Sequence, residues 1–283
     1  MHGQGGNIMT ISNVIRILKE ALEGDREQRE MLPKLQREAD RAWRRADRRI
    51  ERARLGAQSA MGILEKIRIN VLAVQMDEFL HEYEELKNVH LEDCSGYIDL
   101  RADPLDQKRL HTLVDMYDRI RDAGTVGYSA RSESTMLFGP GLLTWYARTP
   151  DFHFDEDTLK NGSIEDLHGV ITELDAFGHK VTEICSRLQS IHHAAQKAAE
   201  VMYDLGDLLD DCTEDIRRLQ RSSGRDWSKY TMNEKISVAR GVQIAELIQD
   251  MADFHVLNED ATVKESLVNA SRHARDVIHQ IGA

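Results

Sequence analysis

Two Glu-x-x-His pairs, Glu78 with His81 and Glu165 with His168, have the spacing that diiron four-helix proteins place on inward helix faces. One turn of helix brings a carboxylate and an imidazole to the same side, which is how a single helix can hold one metal ion. The site also needs two bridging glutamates from other helices, and the sequence nominates none. With twelve histidines and abundant glutamate in 283 residues, the two pairs read as chance matches. A di-metal enzyme is the third-ranked expectation, and no metal, cofactor or catalytic residue is assigned. The adjacent His192 and His193 point to different helix faces, one at the flank of the apolar stripe and one in solvent. Cys94, Cys185 and Cys212 are widely spaced, and no Cys-x-x-Cys pair occurs. Cys212 lies in an apolar seam and reads as a small apolar residue in a reducing compartment. The sequence contains no phosphate-binding glycine loop, nucleophile elbow or zinc signature, so the chain reads as non-enzymatic.

The other chemically distinctive segment is apolar. Gly139-Pro140-Gly141 is a turn signal between two short apolar arms that carry Met136, Leu137 and Phe138 on one side and Leu142, Leu143, Trp145 and Tyr146 on the other. One reading is a loop tucked against a neighbouring helix, with Phe138 and Trp145 as anchors. The other is an exposed tongue, whose contact residues would be these seven, meant for burial in a protein partner or a lipid surface. Arg131, Glu133 and Arg148 flank the run.

Charge is segregated along the chain. Arg37, Arg41, Arg44, Arg45, Arg48, Arg49, Arg52 and Arg54 crowd one stretch, while Glu200, Asp204, Asp207, Asp210, Asp211, Glu214 and Asp215 crowd another. A nucleic-acid or phospholipid patch is one reading of the arginines. Pairing within the chain is the plainer one. If the two stretches lie on helices folded back on each other, Arg41, Arg45, Arg48 and Arg52 meet Asp204, Asp207, Asp211 and Asp215, and the charges set orientation and register. Each exposed pair is worth only ~0.2–1 kcal/mol. The overall charge of -12 argues against nucleic acid as a partner.

Helices must position all of these groups. From Leu167 to Leu219 an apolar residue recurs at alternating three- and four-residue steps, through Val181, Leu188, Ala195, Met202, Leu205, Leu209 and Ile216, with no polar interruption. Such a repeat specifies a helix packed lengthwise on another, and at ~1.5 Å per residue its length is about 80 Å. A first long helix begins near Asp25 or Leu32 and continues to about Cys94. Its seam runs from Ala39 through Ile50, Leu64 and Val74, then drifts to Met76, Phe79, Tyr83 and Leu86 in the manner of a stutter. A short amphipathic helix over Ile8 to Glu23 precedes it. Asp103-Pro104-Leu105-Asp106 opens a helix ending at Gly124, Ser163 caps the second long helix, and Ser222-Ser223-Gly224 closes it. Thr231 with Glu234 and Thr262 with Glu265 form capping boxes for two more helices. The second long helix is apolar over a wider arc from Ala194 to Leu209, which calls for several neighbours there.

These features predict an all-α protein: an elongated antiparallel long-helix hairpin, or coiled-coil stalk, with a helical bundle at the end holding the termini and a small tip with an apolar hairpin or loop. The expected division is 1–94 for the N-terminal and first stalk helices, 95–162 for the tip, 163–224 for the second stalk helix and 225–283 for helices completing the bundle. An apolar tongue at the tip of a long helical bundle resembles, in plan, the α-helical pore-forming toxins of the cytolysin A type. That resemblance implies a membrane-active protein inserting its tip, the alternative to the first reading, a helical interaction or assembly protein that binds a protein partner or a second copy of itself through its stalk or tip. Low aromatic content, at 6%, with 30% charged residues agrees with long helices in either case. Met1 to Thr10 lacks the basic and apolar regions of a secretory signal, and no apolar run approaches the ~20 residues of a spanning helix. The expected location is cytoplasmic, with signal-less export as the alternative.

Overall fold

A computed structural model describes residues 16, 32–98, 106–122, 164–253, 255–258 and 262–282. Its helices are α1 (Leu32–Asn70), a π-turn (Val71–Gln75), α2 (Met76–Glu84), α3 (Gln107–Asp122), α4 (Ile164–Ser223), α5 (Met232–Asp253) and α6 (Glu265–Gly282), with 3-10 turns at Leu91–Cys94 and Trp227–Lys229. Among the described residues there are no strands, only isolated bridges between Lys87 and Asp226 and between Leu257 and Val263. The protein is all-α, with its two long helices packed on each other. Two compact units divide it: Met1–Gly56 with Pro140–Gln189, and Ala57–Gly139 with Ser190–Ala283. Their boundaries fall inside α1 and α4.

The apolar seam of α4 is buried as its spacing requires, including Phe177, Val181, Ile184, Leu188, Ile191, Ala195, Ala198, Met202, Leu205, Leu209 and Ile216. The drift in the first seam coincides with the π-turn. Met76 donates its backbone N–H to Val71 O, one residue further back than in an α-helix, so the extra residue rotates the stripe and keeps Phe79, Leu80 and Tyr83 facing inward. A π-turn disturbs the carbonyl ladder, and Arg121 Nη1 of α3 donates to Ala73 O at 3.2 Å.

The direction of the long helices differs from expectation. In the second unit Gln75 Nε2 donates to Asp210 Oδ2 at 2.7 Å, and Arg217 Nε donates to Glu82 Oε1 at 2.9 Å; both pairs are separated by 135 residues. Gln220 Nε2 reaches Glu82 O, 138 residues away, and Gly206 faces Val71 and Gln75. Partners therefore advance together along the two helices, and the bridge that follows, Lys87 with Asp226, is also parallel. In the first unit Arg49 acts electrostatically on Cys185, a pairing of nearly the same separation. The antiparallel hairpin is thus corrected to a parallel pair. Either direction buries the apolar seams and exposed ion pairs are weak, so the direction goes with contacts between residues far apart in sequence, such as Gln75 with Asp210 and Arg217 with Glu82.

A parallel pair needs a returning segment, and α3 provides part of it. His111 meets Glu84 at 2.5 Å and Arg121 meets Ala73, so α3 runs antiparallel to α2 and the π-turn. Asp106 Oδ1 accepts from Arg109 N at 3.0 Å, the N-cap expected at this start. Hence α3 packs within the second unit, which also holds α5 and α6. The N-terminal helix expected over 8–23 lies outside the described residues apart from Arg16.

Gly224, with φ of 83°, ends α4 in the left-handed conformation that its position after the last turn favours. Thr231 and Glu234 form the expected capping box: Thr231 N donates to Glu234 Oε2 at 2.7 Å and Glu234 N to Thr231 Oγ1 at 3.5 Å. At the second expected box Thr262 Oγ1 accepts from Asn258 Nδ2 at 2.9 Å, within the loop that joins α5 to α6. Beyond its cap, α5 descends antiparallel to both long helices, with Ser237 on Asp215, Gly241 on Cys212 and Phe79, and Met251 O on Arg68. A Cβ at Gly241 would stand 2.7 Å from Phe79 Cε2 and 3.2 Å from Cys212 Cβ, and Phe79 is fully buried and stacked on Tyr83. Alanine gains about 1 kcal/mol of helix propensity, but overpacking against a rigid ring costs about 1–3 kcal/mol. Gly241→Ala is therefore expected to lower the denaturant midpoint, whereas an unchanged or raised midpoint would show that the ring can yield.

Candidate interaction surfaces

The metal-type spacings do not converge. Glu78 and His81 are both exposed on α2, and Glu78 Oε2 accepts from Arg217 Nη2 at 2.9 Å. The side chains of Glu165 and His168 lie outside the described residues. Among the described residues no group of three or more His, Cys, Asp or Glu is placed to hold a metal ion. His192 is half-buried and His193 exposed, with their rings edge-on at 5.4 Å.

The three cysteines carry free thiols. Burial, followed by the nearby Asp215 and Asp211 carboxylates, pushes Cys212 up to about 12. Burial and then the charge of Glu246 push the Tyr83 phenol up to about 12 as well. Both groups keep their protons more tightly in the folded chain than in the unfolded one, where they titrate near 9.0 and 10.0. Their contribution to stability is thus complete below about pH 9 and is lost as pH rises from there toward 12. The melting temperature should hold between pH 7 and 9 and fall above it, and native Cys212 should resist thiol reagents at about pH 8. Rapid labelling of Cys212 under native conditions would contradict this placement.

The charged stretches occupy outer helix faces. In the first unit Arg41, Arg44, Arg45, Arg48, Arg49 and Arg52 are exposed. Arg45 Nε and Arg48 Nε donate to the carbonyls of Arg41 and Arg44 on their own helix, at 3.1 and 3.0 Å, while Arg54 pairs with Glu51. In the second unit Glu200, Asp204, Asp207, Asp211 and Glu214 are exposed along one stripe of α4. Glu200 accepts from Gln196, and Glu214 lies 3.9 and 4.0 Å from Arg217 and Arg221. Asp215 pairs with Arg218 and accepts from Ser237 Oγ. Among the described residues no ion pair reaches Asp204, Asp207 or Asp211.

The intramolecular register expected for Arg41, Arg45, Arg48 and Arg52 with Asp204, Asp207, Asp211 and Asp215 is therefore corrected. The parallel offset lays the segment around Gln75 beside Asp210, so the acidic stretch has the wrong neighbours for that pairing. Each stripe has a large apolar residue at its edge: Leu55, 51% exposed, one turn beyond Arg52, and Tyr203, 55% exposed, beside Glu200 and Asp207. The expected tip residues, Met136, Leu137, Phe138, Leu142, Leu143, Trp145 and Tyr146, lie outside the described residues.

Two arrangements escaped the sequence reading. At the corner where the chain leaves both long helices, Trp227 Nε1 donates to Asp93 Oδ2 at 3.2 Å and Lys235 Nζ donates to the same oxygen at 2.6 Å. Lys235 also lies 5.3 Å from the Trp227 ring centre, and these hydrogen bonds, Lys235 foremost, hold the Asp93 carboxyl below its usual range. The other is Gln75, whose amide crosses over Gly206, where a Cβ would come within 2.3 Å of Oε1. A tryptophan three residues after a helix-ending glycine, and a glycine inside an apolar helix, were the signals available.

The fold is all-α, and among the described residues each unit exposes a run of like charge on a long helix. Compared with protein-family models, curated proteins and solved structures, the chain matches none.

Proposed function

We propose that this chain is a non-enzymatic interaction or assembly protein that docks a partner through the charged outer faces of its long helices. The observation that carries this reading is the pair of exposed stripes of opposite sign, arginine on the first unit and aspartate with glutamate on the second, each bordered by an exposed large apolar residue. Exposed charge with an apolar neighbour suits a polar, water-accessible interface, where electrostatics set encounter rate and register. Free thiols fit a reducing, cytoplasmic setting. Among the described residues no helix is long and apolar enough to cross a membrane.

Vesicle flotation separates this reading from the membrane-active one. The full chain should stay unbound with vesicles of phosphatidylcholine alone and with vesicles of phosphatidylcholine and phosphatidylserine. Flotation on phosphatidylcholine that is lost when Leu137, Phe138, Leu142 and Trp145 are replaced by serine would overturn it in favour of tip insertion.

A further inference from the structure

We infer that the partner is a second copy of this chain, bound head to tail, with the arginine stripe of one copy on the acidic stripe of the next. This rests on the interaction reading above and names its occupant. Arg41, Arg45, Arg48 and Arg52 follow one another at steps of four, three and four residues, and so do Glu200, Asp204, Asp207 and Asp211. On a helix both sets form a single line of three turns, about 16 Å long, so each guanidinium can face a carboxylate along the whole line. The spacing reads the same in both directions, which leaves the relative orientation of the copies open to the flanking contacts.

The stripes are available for this contact. All eight residues are exposed, and among the described residues the arginines are held along their own helix, through Arg45 on Arg41 O and Arg48 on Arg44 O. Beside the acidic stripe the parallel partner helix offers Gln75 to Asp210, an amide and not a cation. Tyr203 adds a flat aromatic face next to the carboxylates, on which a guanidinium can stack, and Leu55 extends the apolar edge beside the arginines. The chain is acidic overall, at -12, so a generic anionic partner would be repelled from most of its surface; its own arginine stripe is a cationic partner present at equal concentration. Because the two surfaces differ, a pair joined by one contact leaves one of each kind unused, and association continues past the dimer unless it closes into a ring.

Two triple variants of the full chain test this, Arg45→Glu with Arg48→Glu and Arg52→Glu, and Asp204→Lys with Asp207→Lys and Asp211→Lys. The substituted side chains are exposed, so circular dichroism should give both variants the melting temperature of the natural chain. In sedimentation velocity at low salt the natural chain should gain mass with concentration and lose it on addition of about 0.5 M salt, which screens exposed charges beyond ~4 Å. Each variant alone should associate at least about tenfold more weakly, since three attractive pairs become repulsive. Mixed in equal amounts the two variants should associate again, because one now carries two acidic stripes and the other two basic ones. If either variant unfolds, the neutral sets Arg→Gln and Asp→Asn replace them and should weaken association without restoring it on mixing. A natural chain that stays monomeric, variants that associate as it does, or a mixture of charge-reversed variants that stays monomeric would each overturn the inference. None of these results bears on flotation, so the interaction reading with another partner is judged separately.

Discussion

Replacing Trp227 by alanine should lower the unfolding free energy by about 3–5 kcal/mol, the range for truncating a large buried aromatic side chain. Trp227 is 1% exposed and sits where the chain leaves α4 for α5. It ties four segments together: its backbone N–H donates to Lys87 O, its indole donates to Asp93, its ring lies under Lys235, and it leans on Tyr230, whose hydroxyl donates to Gly224 O. Phenylalanine keeps most of the apolar contact and loses the indole hydrogen bond, so Trp227→Phe should cost clearly less than alanine. Urea titrations followed by far-ultraviolet circular dichroism would read both. A loss below about 1 kcal/mol for alanine would show that the corner is dispensable.

Arg68→Ala is the second large effect. Arg68 is 3% exposed, and its Nη2 donates at 3.0 Å to Met251 O, in the last turn of α5. Carbonyls there lack helical donors and lie at the negative end of the helix, so a buried cation is well matched to them. Removing it deletes a charge-assisted hydrogen bond and leaves a buried acceptor without that donor, together about 3 kcal/mol. Arg68→Met, which keeps the apolar stem, should recover the packing part only. Equal losses for alanine and methionine would assign the whole effect to the hydrogen bond.

Periodicity made the helices legible because burial is local to one face: the α4 seam, the ends at Asp106 and Gly224 and the Thr231–Glu234 box all stand where spacing and cap chemistry put them. The drift after Val74 was visible as a phase change, and a π-turn is the backbone's way of absorbing it. Direction was not legible. An apolar stripe packs equally well against a parallel or an antiparallel partner, and a long stretch such as 85–163, rich in turn signals, serves as a hairpin end or as a returning segment. The choice between them rests on contacts between residues far apart in sequence, such as His111 with Glu84 and Arg121 with Ala73, which no local pattern announces. Arg41 to Arg52 and Glu200 to Asp211 match in spacing and are opposite in sign, but the parallel offset gives the acidic stretch other neighbours, such as Gln75 beside Asp210.

The parallel direction of the long helices is most directly tested by two spin-label distances, each measured by pulsed electron resonance in a chain whose three native cysteines are replaced by alanine and which is diluted with unlabelled chain. One pair of labels goes at Gln58 and His193, the other at Glu84 and Arg218; all four positions are exposed. With a constant parallel offset both pairs sit side by side on adjacent helices, and both distances should fall within about 30 Å, given axes ~10 Å apart plus two label arms. In any antiparallel arrangement the axial offsets of the two pairs differ by about 75 Å, so at least one pair is separated by more than about 35 Å along the axis. Two short distances are the predicted result, and one short with one long would contradict it.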